Sequence, residues 1–210
     1  MSCVREGNRR RASRELTSRS RRAYRRNVER EVIITGIGGQ GIQLMAKVLA
    51  QAANRAGKQV MLFGIYGGMM RGGPSESTVV ISDEEIQAPP IIPQTWSVLA
   101  MHPQGLADVA KKLRSGGMLC TNSTLVTQVP RDDVQVISIP ATKMAEQTGN
   151  IMGAGMIALG AFCAATQLVD HNAVVQAMRD SLPPHRPHLA EKNVELLNQG
   201  AEFFTPGRPR

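Results

Sequence analysis

Short apolar runs alternate with amphipathic segments along most of the chain, after a polar first stretch. The apolar runs have the length and composition of buried strands, and they lie at residues 32–34, 59–63, 77–82, 96–101, 118–121 and 134–139. Between and after them, apolar residues recur at helical spacing in segments that begin near residues 42, 106, 142, 172 and 189. This order predicts an α/β fold: an open, mostly parallel Rossmann-like sheet with helices on both faces and a helical C-terminal third.

Residues 148–169 carry no charged side chain, and this stretch is long enough to consider as a membrane span. Glycines and the polar pair Thr166–Gln167 interrupt it, however, and basic or aromatic anchors are missing from its flanks. The pattern therefore favours a buried, closely packed helix.

A glycine-rich turn follows the first strand. The sequence Gly36-Ile-Gly-Gly-Gln-Gly41 separates the apolar run Val32–Ile34 from an amphipathic helix. Glycines allow the backbone N–H groups of such a turn to approach a ligand closely, and the positive end of the helix dipole favours an anion there. The turn is thus a candidate phosphate cradle in a Rossmann-like first βα unit.

The turn alone leaves several functions open. A dinucleotide site needs an acid near the end of the second strand, but residues 64–68 contain none. A triphosphate loop needs Lys-Ser/Thr where Ile42-Gln43 stand. The turn could pack the helix on the sheet, bind NAD, bind another phosphate-bearing ligand or contact a subunit.

The formal net charge of the 210-residue chain is +8, and all of the excess lies at its beginning. Residues 1–30 contain 11 arginines and three acids, whereas the rest of the chain has 14 basic and 14 acidic residues. We expect residues 1–27 to be a disordered Arg-rich tail, residues 28–205 to form a single domain and residues 206–210 to be a flexible tail. Val28 leads directly into the first strand, and we hypothesise that native translation begins there.

The remaining polar residues supply few chemical groups. The three cysteines, Cys3, Cys120 and Cys163, are far apart, and Cys120 lies in an apolar strand that predicts a buried, inert thiol. Arg71 stands between glycines, where its guanidinium can reach a carboxylate or phosphate. Ligands of parallel sheets bind at the carboxyl ends of the strands. We therefore expect the 36–41, 66–74 and 122–124 loops to converge there.

Several motifs together resemble one family. They are Gly36–Gly41, Tyr66-Gly-Gly-Met-Met-Arg-Gly-Gly73, Ile139-Pro-Ala-Thr142, Gly149-Asn150 and Leu159-Gly160-Ala161. In this combination, from about residue 31 to residue 204, the chain resembles the gamma subunit of 2-oxoacid:ferredoxin (acceptor) oxidoreductases. Gly68, Met69 and Gly155 depart from residues that are frequent in that family, so the oxoacid is left open among 2-oxoglutarate, pyruvate, branched-chain and aryl oxoacids.

The resemblance implies a cytoplasmic, non-redox subunit of a complex that converts a 2-oxoacid to acyl-CoA and passes electrons to ferredoxin. Alpha and beta subunits, and in some complexes a ferredoxin-like delta subunit, would hold thiamine diphosphate, Mg and [4Fe–4S] clusters. This chain would contribute no catalytic residue and no metal ligand. Its expected contacts with coenzyme A or the partner subunits are Gly36, Gly38, Gly39, Gln40, Gly41, Tyr66, Arg71, Gly72, Gly73 and Asn122.

Two alternatives belong to other functional classes. A stand-alone NAD(P)-binding Rossmann oxidoreductase would use the glycine turn for the pyrophosphate. A nucleic-acid-binding protein would act through the Arg-rich tail by releasing counterions from phosphates.

Overall fold

A six-stranded sheet forms the centre of the fold in the computed structural model, which describes residues 29–66, 73–87, 92–182 and 187–204. Its strands are β1 Arg30–Ile37, β2 Gln59–Tyr66, β3 Pro74–Ser82, β4 Thr95–Ala100, β5 Leu113–Asn122 and β6 Gln135–Ile139. They lie side by side in the order β2-β3-β1-β4-β5-β6. The predicted α/β class and mostly parallel sheet are confirmed.

The position of β3 departs from a Rossmann sheet, in which the second strand lies beside the first. β1, β4, β5 and β6 pair in parallel, but β3 runs antiparallel between β1 and β2. Ile37 at the end of β1 is therefore opposite Pro74 at the start of β3. The hairpin connection between β2 and β3 thus begins and ends at the same edge of the sheet as the glycine turn. We call this edge, where β1, β4, β5 and β6 end, the carboxyl edge.

Six α-helices lie within the described part of the chain. They are α1 Ile42–Arg55, α2 Leu106–Lys112, α3 Ala141–Gln147, α4 Ala154–Thr166, α5 His171–Ser181 and α6 Pro187–Phe203, and a 3-10 turn at Ile151–Gly153 precedes α4. The five helices predicted from apolar spacing, α1, α2, α3, α5 and α6, each start within two residues of the expected position, and α4 begins at Ala154 inside the uncharged stretch 148–169. β5, in contrast, begins five residues before the apolar run at 118–121, because Gly116 with φ 72° and a register shift against β4 carry the strand through an irregular segment.

The two faces of the sheet bury different helices. On one face, Val32 and Ile34 of β1 pack in a cluster with α1, α3, α4, α5 and α6. On the other face, Ile33 and Val98 pack with α2 and the segments that flank it. The alternation of side chains along each strand produces this division, and helices on both faces agree with the sequence-based expectation.

α4 is the most thoroughly buried helix, as the uncharged stretch at 148–169 predicted. Its residues from Ala154 to Cys163 are all buried. Among the described residues, the search for a helix of sufficient length and apolarity to cross a bilayer finds none. The arginine-rich stretch at 1–27 and the residues after 205 lie outside the described residues, so the predicted domain boundaries stay predictions.

Candidate functional site

The glycine turn joins β1 to α1 with a backbone that requires glycine. Gly39 has φ 105° and Gly41 has φ 75°, both in the left-handed region that side chains with a Cβ disfavour. No side chain caps the start of α1, and its first turn contains no acidic residue. Within the described residues, the backbone N–H groups of Gly39 and Gly41 have no hydrogen-bond partner. The turn therefore presents free donors at the positive end of the α1 dipole.

The half-buried side chain of Gln40 connects the ends of β1 and β4. Its Oε1 accepts the backbone N–H of Ile37 at 3.0 Å, and its Nε2 donates to the carbonyl of Met101 at 3.4 Å. A Cβ at Gly36 would lie only 2.5 Å from Gln40 Oε1. The Gln40 amide occupies the space beside Gly36, so a residue with a side chain does not fit there. In doubly wound sheets, ligands bind between the carboxyl ends of two adjacent strands whose following helices lie on opposite faces of the sheet.

The other two predicted loops meet the turn at the carboxyl edge. The N–H of Gly38 donates to the carbonyl of Gly73 at 2.9 Å, which joins the turn to the end of the β2–β3 connection. Asn122, at the end of β5, donates to the same Met101 carbonyl as Gln40, at 3.4 Å. The predicted convergence of the three loops is confirmed for these residues.

Asn122 is fully buried and joins the sheet to α3. Its Nδ2 donates to Thr142 Oγ1 at 2.8 Å, and its Oδ1 accepts the backbone N–H of Thr142 at 3.2 Å. Both ends of the amide are thus used inside the chain. A direct contact of Asn122 with a ligand stays a prediction.

Four of the predicted site residues lie at the end of β2 or in the connection that follows it. Tyr66 is the last residue of β2, opposite Ser75 of β3, so its backbone reaches the carboxyl edge. Arg71 and Gly72 lie outside the described residues, and Gly73 is the residue that accepts the bond from Gly38. The binding roles of these residues stay predictions.

The sequence did not predict that α4 supports the turn. A Cβ at Gly155, in the first turn of α4, would lie 2.8 Å from the backbone oxygen of Gln40. The start of α4 therefore packs directly on the glycine turn, and only a residue without a side chain permits this approach. The glycine at position 155 of this apolar helix was the signal in the sequence.

Two cysteines, Cys120 and Cys163, are buried in the core. Burial raises the pKa of the Cys163 thiol to about 12. Burial, with the neighbouring Cys163 as a second cause, also raises the pKa of Cys120. Both side chains are thiols at neutral pH and therefore poor nucleophiles, as expected for Cys120.

A cavity of about 490 Å³ lies at the other end of α4, where it connects to α5. Cys163, Asp170 and His171 contribute to its wall, and His171 Nε2 is 2.8 Å from Asn198 Oδ1. In the described ranges, no cluster of three or more His, Cys, Asp or Glu side chains has the arrangement of a metal site. The cavity is separate from the carboxyl-edge site.

Comparisons with known proteins give consistent matches. The family model described as pyruvate ferredoxin/flavodoxin oxidoreductase matches residues 31–203. A relative from Methanothermobacter thermautotrophicus, named 2-oxoglutarate synthase subunit KorC, is 35% identical over 189 residues. That alignment covers 86% of this chain and 97% of the relative.

Two solved structures share the fold. The gamma subunit of keto/oxoacid ferredoxin oxidoreductase from Geobacter sulfurreducens PCA has a TM-score of 0.71 and 30% identity, over 83% of this chain and 95% of that one. A 2-oxoglutarate:ferredoxin oxidoreductase from Magnetococcus marinus, with 2-oxoglutarate, coenzyme A and succinyl-CoA bound, has a TM-score of 0.73 and 21% identity. This second match covers 86% of the present chain and 32% of the longer one, so it shows a common fold for one part of that enzyme.

Proposed function

Because the chain belongs to the pyruvate ferredoxin/flavodoxin oxidoreductase family, we propose that it is the gamma subunit of a multi-subunit 2-oxoacid:ferredoxin oxidoreductase. The family predicted from the sequence is thereby confirmed. The enzyme as a whole oxidatively decarboxylates a 2-oxoacid, transfers the acyl group to coenzyme A and passes the electrons to ferredoxin. The KorC relative makes 2-oxoglutarate one candidate substrate, beside pyruvate and the branched-chain and aryl oxoacids.

Partner subunits complete the active enzyme in this proposal. Alpha and beta subunits carry thiamine diphosphate, Mg and the [4Fe–4S] clusters, with a ferredoxin-like delta subunit in some complexes. The present chain caps the assembly in the cytoplasm and contributes to the coenzyme A side of the reaction. Support comes from the solved gamma subunit and from the longer enzyme with bound coenzyme A, which contains the same fold as one part.

The free backbone donors of the glycine turn are the observation that carries the coenzyme A role. Gly39 and Gly41 present N–H groups at the uncapped start of α1. These donors suit the phosphate groups of coenzyme A, which are anionic at neutral pH. Gln40 and Asn122 hold the ends of β1, β4 and β5 in place around the turn.

The connection after β2 provides the second half of the proposed anion site. Gly73 is bonded to Gly38, so this connection ends beside the turn. Arg71 is two residues earlier in the sequence and supplies a guanidinium that can bind a phosphate bidentately. We assign Tyr66 and Gly72 to the same site.

Substitution of Arg71 in the assembled complex tests this role. Arg71→Ala should raise the KM for coenzyme A about tenfold or more, because a charge-assisted phosphate contact contributes roughly 1.5–3 kcal/mol. Arg55→Ala is the matched control: Arg55 lies in the last turn of α1, far from the glycine turn, and pairs with Asp180 at the surface. Steady-state kinetics with varied coenzyme A would measure both variants.

Two further readouts separate binding from assembly. The subunit composition of the Arg71→Ala complex, measured by native mass spectrometry, should be unchanged. Oxoacid-dependent electron transfer to a dye in the absence of coenzyme A should also be unchanged. An unaltered KM for coenzyme A in an intact complex would contradict the assignment of Arg71.

The two alternative functions are not supported. The family match and the relatives point to subunits of oxoacid oxidoreductases. For a dinucleotide, moreover, β3 occupies the place beside β1 that the acid-bearing second strand takes in a Rossmann site. A nucleic-acid role would depend on the Arg-rich tail, since residues 31–210 have equal numbers of basic and acidic side chains.

A further inference from the structure

Gln43 joins the first turn of α1 to β3. It is the second residue of α1 and follows shortly after Gly41 of the glycine turn. Its Oε1 accepts the hydroxyl of Ser77 at 2.7 Å, and its Nε2 donates to the backbone carbonyl of Glu76 at 3.3 Å. Both ends of one side-chain amide therefore bind the same short segment of β3.

The serine of this pair lies in an apolar environment. Ser77 is fully buried, and its neighbour in β1 is Ile34, which belongs to the apolar cluster with α1. Within the described residues, Gln43 is the one hydrogen-bond partner of the Ser77 hydroxyl. A buried hydroxyl costs free energy unless it is bonded, and an apolar pair of similar shape would be about as stable. The pair therefore contributes a defined orientation more than stability, because a hydrogen bond forms only within a narrow range of angles.

The segment that Gln43 binds comes directly after the connection that carries Arg71. β3 begins at Pro74, next to Gly73. The bond from the Gly38 N–H to the Gly73 carbonyl is one attachment between the glycine turn and this connection. A single bond fixes a distance but allows rotation, whereas a second bond a few residues away also fixes the relative orientation. Gln43 supplies this second attachment.

We propose that Gln43 is a positioning residue for coenzyme A. It holds the glycine turn and the connection with Arg71 in the relative orientation in which both bind phosphate groups, and it acts through these two segments without touching the ligand. This inference rests on the coenzyme A role that we propose for them. Orientation matters there because charge-assisted hydrogen bonds require close and well-aligned donors.

Replacing both members of the pair tests the positioning role. In the assembled complex, Gln43→Leu/Ser77→Ala should raise the KM for coenzyme A about five- to tenfold, because the phosphate donors are held less firmly. The kcat at saturating coenzyme A and the subunit composition should be unchanged. The urea midpoint of the full chain should also be nearly unchanged, because both polar side chains have been removed together. Gln43→Leu alone should lower that midpoint, because the buried Ser77 hydroxyl then has no acceptor.

The same helix contains a matched control pair. Gln51 Oε1 accepts the hydroxyl of Ser181 at 2.7 Å, but this bond joins α1 to the end of α5. Gln51→Leu/Ser181→Ala should therefore leave the KM for coenzyme A unchanged. An equal rise in KM for both double variants would mean that any loosening of α1 has this effect, and it would overturn the specific role of Gln43.

Combination with Arg71→Ala tests whether Gln43 acts through the connection after β2. When Gln43 and Ser77 are already replaced, Arg71→Ala should raise the KM for coenzyme A by less than about threefold, because coupled residues have non-additive effects. Its effect in the unaltered pair should be about tenfold or more. Additive effects would overturn the positioning role.

The outcomes also separate this inference from the proposed function. If Arg71→Ala raises the KM but Gln43→Leu/Ser77→Ala does not, the positioning role is wrong and the coenzyme A site stands. If Arg71→Ala leaves the KM unchanged, the coenzyme A assignment of Arg71 is wrong, and the positioning role fails with it.

Discussion

Gln40 explains how a turn rich in glycine can have a defined shape. Its amide accepts the Ile37 N–H and donates to the Met101 carbonyl, so one side chain connects the ends of β1 and β4. Asn122 donates to the same carbonyl from the end of β5. These two amides satisfy backbone groups at the point where the three strands end. Within the described residues, the backbone N–H groups of Gly39 and Gly41 have no hydrogen-bond partner.

Substitutions at Gly36 and Gln40 should therefore affect stability together. Gly36→Ala would place a methyl group against Gln40 Oε1 and should destabilise the chain by about 1–3 kcal/mol. Gln40→Ala leaves the partly buried Ile37 N–H without its acceptor and should cost about 1–2 kcal/mol. Because both changes disrupt the same contact, the double variant should cost less than the sum of the two. Urea unfolding would measure these values.

Asn54→Ala is the control for this pair of substitutions. Asn54 is exposed near the end of α1, far from the turn, and its replacement should change the free energy of unfolding by less than about 0.5 kcal/mol. Additive effects at Gly36 and Gln40 would contradict a shared contact.

At the scale of elements, the closest helix contact is between α4 and α6. A Cβ at Gly160 would overlap the carbonyl oxygen of Leu197, and a Cβ at Gly200 would overlap that of Ile157. The two backbones therefore touch directly at the crossing, which only paired glycines permit. Because the start of α4 packs on the glycine turn through Gly155, this crossing also fixes the support beneath the candidate site.

Gly160→Ala and Gly200→Ala should each destabilise the chain by about 3 kcal/mol or more, since backbone atoms cannot move aside as side chains do. The sign of the change in unfolding free energy distinguishes close helix packing from helix propensity. In an unconstrained helix, replacing glycine by alanine would stabilise the chain by about 1 kcal/mol. The double variant should lose less unfolding free energy than the two single variants together. Once α4 and α6 have moved apart at this crossing, both methyl groups fit. Thermal or urea unfolding would measure the three variants, and a stabilised single variant would disprove the close crossing.

At the scale of the whole molecule, the segments of the proposed coenzyme A site meet at one edge of the sheet. The glycine turn, the end of the β2–β3 connection and the end of β5 all lie at the carboxyl edge. In the proposed function, these donors bind an anionic substrate while the partner subunits carry out the redox chemistry.

The purified chain should therefore show no 2-oxoacid-dependent dye reduction by itself. Co-expression with its alpha and beta subunits should give a complex that reduces the dye when coenzyme A and the correct oxoacid are present. A panel of oxoacids in the same assay would identify the substrate. Activity of the isolated chain with any oxoacid would refute its role as a dependent subunit.

The sequence by itself determined the element order, the buried helix in the uncharged stretch and the family. The spacing of apolar residues and the positions of glycines are local signals. They predicted that α1 begins at Ile42 and that a glycine turn precedes it. The combined glycine motifs indicated the family that the match over residues 31–203 confirms. The helices, strands and turns depend on residues a few positions apart, whereas the family was indicated by motifs spread from Gly36 to Ala161.

Only the tertiary structure decided which strands are neighbours and where the polar side chains point. The insertion of β3 between β1 and β2 depends on long-range pairing, for which the apolar run at 77–82 carries no orientation signal. The orientation of the Gln40 amide and the burial of Asn122 depend on the Met101 carbonyl, which is distant in sequence. Amide side chains bind ligands and backbone groups equally well, and the packing around them selects between the two.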